Sequence, residues 1–267
     1  MKAYYSLFKM RLLIGLQYRA AALAGIFTQF FWGFMYIMIY EAFYKSTTTM
    51  QPISLKELIQ MLWLQQSFLV FVMLWFRDNE LINLITSGNI AYELCRPTDL
   101  YSLWYAKLIA QRLSGAILRC FPILIVASFL PYPYKFSLPP SFTAFILFLI
   151  TLILGLIIIV AISMLIYISM FYTMSGIGSI LIFGVLGEFF SGIIIPVPLM
   201  PELLKRIVYV LPFRYTSDLP FRIYSGNIGL KEGSISILVQ LLWITVLVGI
   251  GRLWMRKSLR RIVVQGG

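Results

Sequence analysis

"FSLPPSFTAFILFLITLILGLIIIVAISMLIYISMFYTMSGIGSILIFGVLG", residues 136–187, runs for 52 residues without an Asp, Glu, Lys or Arg. As one helix it would be roughly 78 Å long at about 1.5 Å per residue, against a hydrocarbon core of about 30 Å. That is too long for a single crossing, so the chain must turn within the run. The best break is Tyr172-Thr173-Met174-Ser175-Gly176, where polar and flexible residues gather. This predicts one span over 142–171 and another starting at 176.

The rest of the chain agrees that the solvent is lipid. Of 267 residues, 60% are hydrophobic and 12% charged, where an ordinary soluble domain carries roughly 25% charge. Mean hydropathy is +0.88. There is no histidine, which removes the commonest general base and metal ligand. Cys95 and Cys120 form neither a CxxC motif nor a disulfide framework, so no metal site and no catalytic residue is expected. The net charge of +12 is explained by basic loops and anionic headgroups, without nucleic acid as a partner. No cleavable leader is expected, because the first apolar run is long enough to span and stay.

Working outward, charge-poor apolar runs place further spans at 20–43, 58–76, 102–131 and 234–254, with the fourth and fifth at 142–171 and 176–195. Six spans put both termini on one side. Thirteen basic residues fall on the side of the termini and eight on the other, so the termini are expected to be cytoplasmic, at a bacterial inner membrane. Residues 1–19 read as a separate amphipathic helix in the inner interface, with Tyr4, Phe8, Leu12 and Leu16 at four-residue intervals.

Between the second and third spans lies a cytoplasmic segment, 77–100. Asp78 or Asn79 can cap a helix that Glu80 favours through the dipole. Gly88 can supply a left-handed stop. A short piece, Ile90–Leu94, follows, and Thr98 or Asp99 can cap the next helix. The segment is thus expected to be rigidly continuous with two membrane helices.

Three features then occur in order: a basic amphipathic first helix, "SGNIAYELCRP" after the second span, and "FFSGIIIPVPLMPELLKRIVYVLPFRYTSDLPFRIYSGNIG" after the fifth. This order resembles the membrane subunits of type-2 ABC exporters over nearly the whole chain. The likeness is closest to the six-span permeases of bacterial three-component systems. The resemblance implies a single all-helical permease domain that pairs with a second, dissimilar or identical permease and with cytoplasmic ATPases. ATP and Mg²⁺ would sit on the ATPase, since this chain has no GxxxxGK[ST] loop and no cofactor of its own. The loop after the second span would dock on the ATPase through Asn83, Ile85, Gly88, Ile90, Tyr92, Glu93, Leu94, Arg96 and Pro97, with Glu93 and Arg96 as the polar contacts. The substrate path would be lined by the first, second and fifth spans. The aromatics of the first span suit an apolar or amphipathic substrate.

Residues 196–233 carry too many prolines for an unbroken span. The resemblance implies a re-entrant outer hairpin, gated by Pro196, Pro198, Pro201, Pro212 and Arg214. Lys205, Arg206, Arg214 and Arg222 would meet outer headgroups. Within the spans, Arg112, Arg119 and Glu188 are costly and call for a partner or a cavity. Arg112 is expected to snorkel to the inner interface. Arg119 and Glu188, at similar depth, are expected to lie near each other. The alternative function is a secondary transporter or channel subunit without an ATPase. That would want paired ionisable groups in the spans.

Overall fold

The computed structural model describes residues 2–17, 19–173 and 176–260, and among these the chain is all-helical. In chain order the α-helices are α1 (Lys2–Gln17), α2 (Arg19–Ser46), α3 (Leu55–Ser67), α4 (Leu69–Val72), α5 (Asn79–Thr86), α6 (Ile90–Leu94), α7 (Leu100–Ser128), α8 (Phe142–Thr173), α9 (Gly176–Phe190), α10 (Glu202–Val210), α11 (Asp218–Ser225) and α12 (Leu230–Leu259). Four of them, α2, α7, α8 and α12, are long and apolar enough to cross a membrane. Within the long uncharged run, α8 ends at Thr173 and α9 starts at Gly176. Met174 and Ser175, where the turn was expected, lie outside the described residues.

Apolar burial organises the bundle around α8, which packs against α12, α11 and α7. Its residues Ile158–Ala161 are almost fully buried. Helix α3, packed against α2, α7 and α11, is buried along its length from Leu58 to Ser67. Its start is set by a capping box, in which the Ser54 N–H donates to Glu57 Oε2 at 2.8 Å while the Ser54 side chain accepts from the Glu57 N–H. Polar residues on α3 are tolerated because they reach backbone. The Trp63 indole N–H donates to the Tyr134 carbonyl at 2.9 Å, and Gln65 Nε2 donates to Gly192 at 3.1 Å.

The second span was expected as one helix over 58–76. It instead breaks at Phe68, and residues 73–78 are not helical. The fifth apolar helix, α9, has 15 residues, about 22 Å of helix, short of a hydrocarbon core of about 30 Å. The chain beyond α9 supplies the remaining packing at this end of the bundle.

The two ends of the molecule differ in chemistry. At one end Asn227 Nδ2 donates to the Pro52 carbonyl at 3.4 Å, and the Tyr224 hydroxyl to Ser137 at 3.3 Å. At the other end the Asp99 N–H donates to Tyr4 Oη at 2.9 Å, Ser258 Oγ donates to Tyr172 Oη at 3.1 Å, and the Arg252 guanidinium lies 5.9 Å from the Tyr101 ring. The start of α1, α5 and α6, and the end of α12 therefore gather at one end.

The first helix does not lie across the bundle as an interfacial helix would. Tyr4 meets Asp99 and Gly15 meets Ser114, so α1 runs parallel to α7. The stripe Tyr4, Phe8, Leu12 and Leu16 does face inward. However, Tyr5, Met10, Leu13 and Ile14 are exposed on the other side. Apolar residues thus occur all round α1.

Candidate functional site

The segment from Asp78 to Asp99 forms a two-helix platform at the charged end of the bundle. Asp78 caps α5, its Oδ1 accepting the Leu81 N–H at 3.0 Å, and Asp99 caps α7, its Oδ2 accepting the Ser102 N–H at 3.0 Å. Gly88 takes φ +75°, the left-handed turn between α5 and α6.

Platform residues divide by burial. Ile85 and Ile90 are buried anchors. Asn83, Gly88, Tyr92, Leu94, Arg96 and Pro97 are exposed, Tyr92 at 74%. Glu93 and Arg96, expected to be free polar contacts, pair with each other at 3.1 Å. The exposed surface is therefore an aromatic and aliphatic tip rimmed by polar groups, and it includes the free thiol of Cys95.

The platform is bolted to three other helices by a polar cluster. Lys107 on α7, with a side chain 4% exposed, pairs with Asp78 and with Glu80 at 2.9 Å each. Arg11 on α1 pairs with Glu80 at 2.6 Å. Gln111 Nε2 donates to Asp78 Oδ2 at 2.7 Å, and the Asp78 N–H donates to Tyr167 Oη on α8 at 2.8 Å. Burial works against ionising Glu80. The Arg11 and Lys107 cations outweigh it and hold the carboxyl below its ordinary range. The cluster thus ties α5 to α1, α7 and α8.

One turn further along α7, Arg112 is fully buried, at 0% exposed. Its Nη1 donates to the carbonyls of Val70 and Met73, at 2.8 Å each, and its Nη2 donates to Ser163 Oγ at 3.2 Å. These are the carbonyls that the helix break leaves without intrahelical partners. The expected snorkelling to the interface is replaced by an internal cap. The Phe76 ring lies 5.4 Å from the same guanidinium.

Arg119 and Glu188 do not pair. The Arg119 guanidinium lies over Gly25 of α2, whereas Glu188 faces the Trp75 indole and Tyr36. Gly25 and Tyr36 are separated along α2 by about 16 Å at the helical rise. The two side chains therefore sit at different levels along α2, not at the similar depth expected from the sequence.

The proline-rich segment folds into two 3₁₀ turns, Val197–Leu199 and Phe213–Thr216, flanking α10 and followed by α11. Pro198 is buried among Val197, Met200 and Val208. Pro196 and Pro201 precede the first turn and α10, and Pro212 precedes the second turn, where the missing N–H costs no hydrogen bond. Arg214 and Arg222 do not reach outward as expected. Both converge on the buried Asp218, at 3.8 and 3.4 Å, and the Arg214 guanidinium stacks 3.6 Å from the Tyr209 ring centroid. The backbone of this segment abuts Gly155, where an added Cβ would lie 3.0 Å from the Tyr215 carbonyl oxygen. Gln240 Nε2 on α12 donates to the carbonyls of Tyr215 and Thr151 at 2.9 Å each.

Sequence reasoning missed Lys107, Gln111, Tyr167, Asp218 and Gln240 as working residues. Tyr167 and Gln240 lie in otherwise apolar sequence, which was the available signal for those two. Among the described residues no cluster of His, Cys, Asp and Glu could hold a metal ion.

A family model described as "ABC-2 family transporter protein" matches residues 30–266. No curated protein matches the chain.

Proposed function

Because the chain belongs to the ABC-2 transporter family, whose members are the membrane domains of ABC transporters, we propose that it is the permease subunit of an ATP-driven exporter of an apolar or amphipathic substrate. It is a multi-pass transport subunit and not itself the ATPase. ATP and Mg²⁺ would act on a separate cytoplasmic subunit, which grips the α5–α6 platform. A second permease, of the same or a different sequence, completes the path. Six crossings follow if α3 with α4, and α9 with the hairpin, each traverse the bilayer with help from buried irregular backbone. The outer hairpin then dips in as far as Gly155, 13 residues into α8, or about 20 Å from its start.

The observation that carries this reading is the polar cluster behind the exposed tip. Asp78, Glu80, Arg11, Lys107, Gln111 and Tyr167 tie a solvent-facing platform to three helices. Such wiring serves an element that is pushed from outside the bundle. The platform's two buried isoleucines keep it rigid, so force at Tyr92 is not lost in local flexing.

Purification of the full chain from its native membrane in mild detergent tests this. A soluble nucleotide-hydrolysing subunit is expected to accompany it, and Tyr92→Ala with Leu94→Asp is expected to release that subunit without lowering the chain's Tm. Retention of the subunit by the double variant would overturn the assignment of the platform. Cys95 should react with an impermeant maleimide only from the cytosolic side.

A further inference from the structure

A cavity of about 340 Å³ lies where α1 and α2 meet α7, lined among others by Arg11, Ile14, Ala21, Gln111, Ser114 and Arg119. Ile14 and Ala21 are exposed, so the cavity opens sideways at the junction of the first two helices. Its charge is unbalanced. Arg11 and Lys107 are matched by Glu80 and Asp78. Arg119 is half-buried and has no ion pair or hydrogen bond among the described residues, and its Nε is buried without a partner. Arg11 Nε and Gln111 Oε1 are likewise buried and unmatched. The chain has ten carboxylates, and none lines this cavity. Unlike Arg112, which is satisfied by carbonyls, this half-buried guanidinium has no protein partner among the described residues, and an anion sharing the site would stabilise it.

The surface beside the mouth names the kind of anion. Trp32 on α2 and Val126 on α7 are both exposed, and each lies about two helical turns beyond Gly25 and Arg119, on the same face of its helix. They make an apolar strip leading away from the cavity. A charged pocket joined to an apolar strip fits an amphiphile with a small anionic head.

We propose that this cavity binds one anionic phospholipid, its phosphodiester against Arg119 and an acyl chain along Trp32 and Val126. One negative charge balances the one unmatched cation. Guanidinium matches phosphate oxygens in charge and in the planar fork of its donors. Arg11 Nε and the Ser114 hydroxyl supply further polar contacts at the cavity wall. The bound lipid fills the angle between α1 and α2, so it holds the platform-linked helix α1 against α7. The proposal concerns lipid binding by the chain itself and stands apart from any ATPase partner.

Native mass spectrometry of the full chain in detergent tests it, with phosphatidylglycerol, phosphatidylcholine and inorganic phosphate as separate probes. Wild type is expected to retain one phosphatidylglycerol in preference to phosphatidylcholine. Arg119→Gln is expected to bind it about tenfold or more weakly, the loss of a charge-assisted contact. Ala21→Leu, which fills the mouth from an exposed position, should also weaken it. Arg119→Lys should retain most of it, and Lys9→Gln on the outer face of α1 should leave it unchanged. Equal binding by wild type and Arg119→Gln overturns the proposal. So does equal loss in Lys9→Gln, which would mark general surface attraction. Equal occupancy by inorganic phosphate would show a free-anion site and overturn the lipid assignment. Should Arg119→Gln fail to fold, undiminished binding by Ala21→Leu overturns it instead.

Discussion

Arg112 donates to the Met73 carbonyl at 2.8 Å and, from the same nitrogen, to Val70 at 2.8 Å. One buried guanidinium thus terminates a helix to which it does not belong. Arg112→Ala would leave these carbonyls buried and unmatched, each costing about 1–3 kcal/mol. The variant is expected to lose most of its folded fraction in fluorescence-detected size-exclusion chromatography. Arg112→Lys should recover part of it, because an ammonium replaces the charge but not the fork of donors.

Lys107 and Asp78 form the most enclosed ion pair in the platform cluster, with side chains 4% and 2% exposed. Removing one member leaves the other charged in a low-dielectric setting, at a cost of about 3–5 kcal/mol. Lys107→Met and Asp78→Asn are each expected to be strongly destabilised. The double variant should be less destabilised than the sum of the two, as read by a double-mutant cycle on thermal unfolding in detergent. Additive effects would mean that the two residues act independently.

Glu80 gives the cluster a pH dependence of known sign. Burial opposes its charge, and Arg11 and Lys107 more than compensate, so its folded pKa is depressed. Its contribution is therefore complete above the ordinary carboxylate pKa of about 4.3 and is lost as pH falls through the folded value. Glu80→Gln should lower the Tm at neutral pH. The gap to wild type should close on acidification below about pH 4. A gap that widens on acidification would reverse the assignment.

The four long helices were legible because a charge-poor apolar run of a bilayer's length has one physical meaning, and the caps at Asp78 and Asp99 were legible because capping is local. The break after Val72 was not. Leu69 to Met73 are all apolar, and what ends the helix is Arg112, 42 residues from Val70 in sequence. Arg214 and Arg222 were misread for the same reason. A count of basic residues by side assumes that each faces water or headgroups, whereas these two face Asp218. In the platform, Ile85 and Ile90 were grouped with Tyr92 and Leu94 as contacts, since spacing in so short a segment cannot separate anchor from tip.

That separation can be measured. Ile85→Ala and Ile90→Ala remove fully packed side chains and should each cost about 2–5 kcal/mol in chain stability. Tyr92→Ala and Leu94→Ala touch exposed residues, and their effect on stability should be within about 0.5 kcal/mol. Their effect should instead appear as weaker capture of the soluble subunit.

Gly155 sets how closely the hairpin can approach α8. An added methyl would lie 3.0 Å from the Tyr215 carbonyl oxygen and 3.1 Å from that of Thr216. Both contacts are backbone, so no side chain can swing aside. Gly155→Ala should cost about 1–3 kcal/mol through overpacking. It should also shift the hairpin outward, away from Gln240, whose amide holds the Tyr215 carbonyl at 2.9 Å. Gln240→Leu removes that hold without adding bulk to α8. Both variants are expected to speed protease cleavage between Pro201 and Leu211. A hairpin that merely rests on the outer surface would be cleaved equally fast in wild type and in either variant. If it is wedged against the middle of α8, both substitutions raise the rate, and a second substitution adds little once the first has freed the hairpin.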